Sequence, residues 1–216
     1  MKTNCMNILL SFSVILFFAC GTTGQSGEGV ATAKTTAVDP KNLATATFAG
    51  GCFWCMEPPF EKLAGVVSVT SGYTGGHKLD PTYEEVSSGE TGHAEAVQII
   101  YDSTQISYVQ LLSVFWRNID PLAANRQFCD AGTQYRSGIF YHNDEQKRLA
   151  VEAKLKLEQT HKFDRPIATE ITAATKFYPA EEYHQDYYKK NPLRYKTYRT
   201  GCGRDRRLKE LWGENE

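Results

Sequence analysis

No stretch of this chain is apolar for long enough to cross a bilayer as a helix. The longest such run, Ile8 to Ala19, is twelve residues, against the roughly 20 that about 30 Å of hydrocarbon requires. An excess of one charge is also missing. With 24 basic residues against 25 acidic ones the net charge is −1, so no chain-wide field draws nucleic acid, an anionic membrane or a highly charged substrate. A neutral or mixed substrate fits best. Internal repeats are absent, which excludes solenoids and propellers. There is no second Cys-x-x-Cys pair, and His77, His93, His142, His161 and His184 show no His-x-x-x-His spacing, so no metal site is expected. What the 216 residues do contain is 41% hydrophobic and 12% aromatic side chains, enough for one domain with a substantial core.

The N-terminus reads as a leader. Lys2 supplies a basic start, the Ile8 to Ala19 run a short apolar region, and Ala19 a small residue before Cys20, the pattern of a secretion signal. Phe18-Ala19-Cys20 resembles a lipobox, with Phe17 where that motif usually has leucine. Cleavage before Cys20 with lipidation of its thiol is the expectation. Residues 1–20 are thus a signal peptide. Residues 21–44, rich in Gly, Thr, Ser and Ala, bury too little to fold and form a flexible linker. A single domain covers 45–216. The expected location is the bacterial cell envelope, as a lipoprotein or in the periplasm, touching membrane only through the lipid.

Within the domain, Ala46 to Ala49 reads as a strand entering Gly50-Gly51, with a turn and short helix over Cys52 to Leu63. Pro58-Pro59 requires that helix to start late or bend. Val66 to Tyr73 and Ala94 to Tyr101 are further strands, the second with Glu95, Val97 and Ile99 on one face. Ser107 caps a helix whose apolar residues Tyr108, Leu111, Leu112, Phe115, Trp116 and Ile119 keep helical spacing. Ser137 to Tyr141 is strand-like. Asn143 and Gln146 suggest a capping box before a helix presenting Leu149, Ala153 and Leu157, and Ile167 to Ala173 alternates as a strand. The aromatic-rich chain from Tyr178 reads as irregular. The fold class is α+β, a two-layer α/β plait with a split β-α-β (ferredoxin-like) core and a long irregular C-terminal segment.

The domain's cysteines are Cys52, Cys55, Cys129 and Cys202. A Cys-x-x-Cys pair after a Gly-Gly turn at a helix start has a physical use. A helix N-terminus favours the reactive thiolate, and a separation of three residues brings two Cα atoms to roughly disulfide distance. Half of a zinc site and a pair of structural disulfides are the competing readings.

Six segments carry a resemblance. Gly51-Cys52-Phe53-Trp54-Cys55, Ser71-Gly72-Tyr73-Thr74-Gly75-Gly76, Pro81-Thr82-Tyr83-Glu84-Glu85-Val86, Gly92-His93-Ala94-Glu95-Ala96-Val97, Gln134-Tyr135-Arg136-Ser137 and Tyr183-His184-Gln185 resemble, in order, the motif series of the A-type peptide methionine sulfoxide reductases. The resemblance implies reduction of the S epimer of methionine sulfoxide, free or in proteins, with Cys52 as nucleophile. A sulfoxide sulfur is a poor electrophile until its oxygen is protonated, and Glu95, held against an apolar strand face, suits the acid. Tyr83 and Tyr135 match tyrosines that hydrogen-bond the sulfoxide oxygen. Phe53 and Trp54 match the aromatic pocket for the S-methyl group. Asp130 matches an aspartate near the tyrosine pair, although Ala131 stands where a polar residue is common.

The implied cycle leaves a sulfenic acid on Cys52, which a second thiol must resolve. Cys55 is nearest in sequence and is expected to form the first disulfide. Cys202, between Gly201 and Gly203, is expected to relay it outward. No cofactor is implied. Electrons come from a thioredoxin-like protein, or from dithiothreitol in vitro, and the expected state is a monomer. Two other classes compete: a general dithiol oxidoreductase using Cys52 and Cys55, and a lipoprotein module that holds methionine in an aromatic site without reacting.

Overall fold

The structure is a computed structural model that describes residues 38–213. The expected leader, with Cys20, and most of the expected linker lie outside the described residues. The C-terminal part of that linker is a correction. Regular structure already begins with a 3₁₀ turn at Pro40–Asn42, capped by the Asp39 side chain, and Asn42 accepts bonds from the Ser103 backbone and hydroxyl.

The fold is a mixed α/β structure on one central sheet. Strands β1 (Leu43–Gly50), β2 (Val66–Thr74), β3 (Ala94–Asp102), β6 (Ser137–Tyr141), β7 (Glu170–Ala173) and β8 (Tyr178–Pro179) lie in the order β7-β6-β1-β3-β2-β8. Strands β4 (Arg126–Gln127) and β5 (Asp130–Ala131) form a separate two-stranded ribbon. The four central strands are antiparallel to their neighbours, and only β6 with β7 is parallel.

Side chains alternate across the sheet because strand residues point to opposite faces. Ala46, Phe48, Tyr73, Val97 and Ile99 share one core with the helices, whereas Ala49, Ala94, Ala96 and Phe140 form a smaller cluster with Ala174 and Phe177. Helices α1 (Glu57–Glu61) and α3 (Tyr108–Arg117) cover the first face. The Phe48 ring lies 5.5 Å from Phe60 of α1 and 5.0 Å from Phe115 of α3. Pro58 and Pro59 fall in the first turn of α1, where a missing N–H costs nothing. Ser107 caps α3 in a reciprocal box with Gln110. The Asn143 side chain accepts from the Gln146 backbone at the start of α4 (Asp144–Gln159), but Gln146 turns its own side chain to His142 N–H and Thr45 O, so the expected box is a single cap.

The sequence gives no hint of α2 (Tyr83–Ser87) beyond its capping pair Thr82 and Glu85. The largest correction concerns the C-terminal segment. It is not irregular: α5 (Tyr187–Lys190), α6 (Pro192–Gly201) and α7 (Arg204–Trp212) follow β8. α6 buries no residue, so it lacks the apolar stripe that reveals a helix in a sequence. The strand expected over 167–173 is confined to Glu170–Ala173. No helix among the described residues is long and apolar enough to cross a membrane.

Candidate active site

β1 delivers the chain to the site. It ends at Gly50 and turns through Gly51 at φ 79°. A Cβ on Gly50 would lie 2.6 Å from Met56 Sδ, and one on Gly51 would lie 2.5 Å from Gln127 Cβ, so neither position accepts a side chain. The turn sets Cys52 beside Glu95, which stands one residue beyond Ala96, the last β3 partner of β1. The Phe53 N–H donates to Glu95 Oε2 at 3.0 Å. Cys52 is 6% exposed and Glu95 3%. Burial, with Asp130 and Cys55 adding to it and the Phe53 bond opposing it, pushes the Glu95 carboxyl up to about 8. It therefore holds its proton at neutral pH.

Tyr83 opens α2, with its backbone N–H held by Glu181 Oε1 at 2.9 Å. Tyr135 ends the turn before β6. Burial, with Glu95, Cys52 and Asp130 close by, keeps both phenols protonated and thus donors. Asp130, on β5, accepts a bond from the Tyr198 hydroxyl, and Tyr198 is within hydrogen-bonding reach of Cys52. The structure thus brings Cys52, Glu95, Tyr83, Tyr135 and Asp130 into one cluster.

Trp54 is pinned from three sides. Its indole stacks on Tyr187 at 3.6 Å, meets Tyr198 edge-on, and donates from Nε1 to His184 Nδ1 at 3.0 Å. An indole N–H only donates, so neutral His184 must carry its proton on Nε2. That atom is buried and has no partner among the described residues. Burial favours the neutral ring, against the pull of Glu181 and Glu84. The Phe53 ring rests against Tyr73 and His184. Gln185 clips this segment to β2 by exchanging two 2.9 Å bonds with the Ser71 backbone.

The thiols depart from the expectation drawn from a helix N-terminus. Cys52 precedes only a three-residue 3₁₀ turn (Phe53–Cys55), and α1 begins at Glu57, so little dipole reaches it. Burial, the bond to Cys55 and the nearby Glu95 raise the Cys52 thiol well above its ordinary value. Cys55 is brought down to about 6 by the bond from Cys52 and, against its burial, by the charges of Arg204 and Arg199. Burial and the acid thus favour the protonated thiol at Cys52, and the guanidiniums favour the thiolate at Cys55.

Cys202 is a second correction. It is bonded to Cys129, with Cα atoms 4.9 Å apart, and among the described residues Cys52 and Cys55 are the free thiols. The flanking glycines do not make Cys202 a mobile arm, because it closes α6 against the turn between β4 and β5. Cys129, Asp130 and Cys202 also bring ligand atoms within 4.8 Å of one another, but the two sulfurs are engaged in the disulfide.

His184, Tyr187, Tyr198, Arg199 and Arg204 carry no role that is readable from sequence. His184 stands in a quoted segment. The others lie in the stretch read as irregular, where periodicity offered no face. Arg204 is buried at 2% exposure and donates to Gly50 O and Asn118 O, with its guanidinium on the Phe128 ring.

Comparison with known proteins decides the family. The sequence profile of the peptide methionine sulfoxide reductases matches residues 44–216. The chain belongs to this family. It is 56% identical over 168 residues to peptide methionine sulfoxide reductase MsrA of Bacillus licheniformis, covering 78% of this chain and 93% of that one. With the MsrA of Listeria monocytogenes it shares 51% over 172 residues, covering 80% and 97%. Among solved structures, reduced Mxr1 of Saccharomyces cerevisiae aligns with a TM-score of 0.66 at 38% identity, covering 74% of this chain and 91% of that one. Methionine sulfoxide reductase A of Corynebacterium diphtheriae aligns at 0.63 and 33%, covering 72% and 77%. The six quoted segments all lie inside the family match, and four of them supply Cys52, Glu95, Tyr83 and Tyr135 to one cluster.

Proposed function

We propose that the protein reduces methionine sulfoxide of the S configuration, free or in proteins, to methionine. The observation that carries this reading is a buried thiol, Cys52, beside a buried carboxyl that keeps its proton to about pH 8. Sulfoxide reduction needs a sulfur nucleophile and an acid together. Cys52 attacks the sulfoxide sulfur as its proton passes to the Cys55 thiolate. Glu95 protonates the sulfoxide oxygen, with Tyr83 and Tyr135 donating to it, and Phe53 and Trp54 receive the S-methyl group. Asp130 acts through Tyr198. Transfer of the oxygen to Cys52 leaves methionine and a sulfenic acid.

Cys55 then passes the proton it received to the sulfenic hydroxyl and attacks the sulfenic sulfur, expelling water and closing a Cys52–Cys55 disulfide. Its lowered pKa supplies the attacking thiolate. A thioredoxin-type dithiol returns two electrons, and no prosthetic group takes part. A relay through Cys202 is not part of this scheme, because Cys202 is already joined to Cys129. The strand order β6-β1-β3-β2, with β3 between the parallel β1 and β2 and α1 in their connection, supports a split β-α-β, ferredoxin-like plait as the scaffold. The leader pattern ending at Cys20 supports export as a bacterial envelope lipoprotein.

The test is an assay of resolved S and R epimers with dithiothreitol. Consumption of the S form alone is expected. Turnover of both at similar rates, or of neither, rejects the reading.

A further inference from the structure

A cleft of about 1000 Å³ opens among α1, α3 and α6, lined in part by Pro58, Pro59, Lys62, Arg117, Tyr195 and Arg199. It is a different mouth from the one proposed for the sulfoxide: Phe53, Trp54, Tyr83 and Glu95 line no part of it. Cys55 does not line it, but Pro58 and Pro59 of α1, three and four residues further along the chain, do. Arg199 lines the cleft, and its charge acts on Cys55 to favour the thiolate. Its guanidinium is braced by Asp205 through bonds of 2.8 and 2.6 Å and by the Tyr195 hydroxyl.

The charge of the cleft has one sign. Lys62 and Arg117 are exposed, and among the described residues neither has a hydrogen bond or ion pair and no carboxylate lines the wall. Unpaired cations on a concave surface steer an acidic partner and speed its encounter. From these observations we propose that the cleft bounded by Lys62, Arg117 and Arg199 docks a dithiol protein whose reactive thiol is surrounded by acidic side chains. This rests on the reading that each turnover leaves a Cys52–Cys55 disulfide.

The step balances as thiol–disulfide exchange. The donor thiolate attacks Cys55 Sγ, the Cys52–Cys55 bond breaks, and Cys52 leaves as a thiol by taking the proton that Glu95 has regained from solvent. The donor's second thiol loses its proton to solvent and displaces Cys55 as thiolate. The enzyme gains two electrons, and the donor leaves as a disulfide. Access selects the sulfur that is attacked, and Cys55, 1% exposed and no part of the cleft wall, is reached in this proposal once docking draws Arg199 aside.

The test uses the full chain carrying Lys62→Glu and Arg117→Glu together, with Lys62→Gln and Arg117→Gln as a milder pair. Each is assayed on methionine S-sulfoxide with a bacterial thioredoxin recycled by its reductase and NADPH, and in parallel with dithiothreitol. The thioredoxin-dependent kcat/KM is expected to fall about tenfold or more for the acidic pair, on the scale of lost electrostatic steering, and less for the neutral pair. Dithiothreitol-driven turnover is expected to stay within about twofold, and added salt to slow the wild type more than the acidic pair. An unchanged thioredoxin rate overturns the proposal. An equal fall with dithiothreitol also overturns it, by placing these residues in folding or chemistry. Failure of the wild type to turn over with dithiothreitol would instead reject the reading on which the proposal rests.

Discussion

Cys52 and Cys55 lie at the end of β1, 6% and 1% exposed and free, whereas Cys129 and Cys202 meet near the surface as a disulfide 73 residues apart in sequence. The contrast arises from surroundings rather than from the sulfurs. The first pair is desolvated, with an acid on one side and two guanidiniums on the other, which raises the Cys52 thiol and lowers that of Cys55. The second joins the β4–β5 turn to the end of α6 and so holds Asp130 near Tyr198 and Phe128 over Arg204. One pair is arranged for reaction, the other for holding the reacting site together.

The sharpest way to break this contrast is to remove the nucleophile. Cys52→Ser is expected to abolish sulfoxide reduction with every reductant, while the Cys129–Cys202 bond still forms. Retention of more than a few per cent of activity in a steady-state assay would move the nucleophile elsewhere. Next in size is Glu95→Gln, expected to lower turnover by roughly 10²-fold or more. The sign of the pH effect follows from the raised carboxyl. The acid is present below its pKa, so the wild-type rate should fall as pH rises through about 8, and the variant should lose that limb. A pH profile of kcat identical in both proteins would assign the proton to another group. Smallest in activity is the paired change Cys129→Ser and Cys202→Ser. Loss of a bond closing so long a loop is expected to cost about 2–4 kcal/mol of stability, seen as a fall of several degrees in Tm, with dithiothreitol-driven turnover reduced only a few-fold. An unchanged Tm would show that the bond does not hold the fold.

The sequence made half of this legible. Alternation in Ala94 to Tyr101 and helical spacing from Tyr108 located β3 and α3, because both bury one face against the Phe48 core. Those elements carry Glu95 and the scaffold of Cys52, but the cluster itself was named through the resemblance of the six segments to the reductase motifs. The far wall could not. α6 buries nothing on its own, yet Tyr198 and Arg199 reach the thiols from it. α7 enters through Gly203 in the left-handed region, a turn that periodicity does not see. The Cys129–Cys202 pairing was hidden for the same reason, since disulfide connectivity depends on where helices end in space. The thiols depart from the helix-start expectation because only a 3₁₀ turn follows Cys52.

Disulfide mapping by mass spectrometry, after the wild-type protein has turned over one equivalent of methionine S-sulfoxide without reductant, separates the roles of the two pairs most directly. A new Cys52–Cys55 bond beside an unaltered Cys129–Cys202 bond is the expected result. A bond joining Cys52 or Cys55 to Cys129 or Cys202 would contradict it, making the surface pair part of the catalytic cycle.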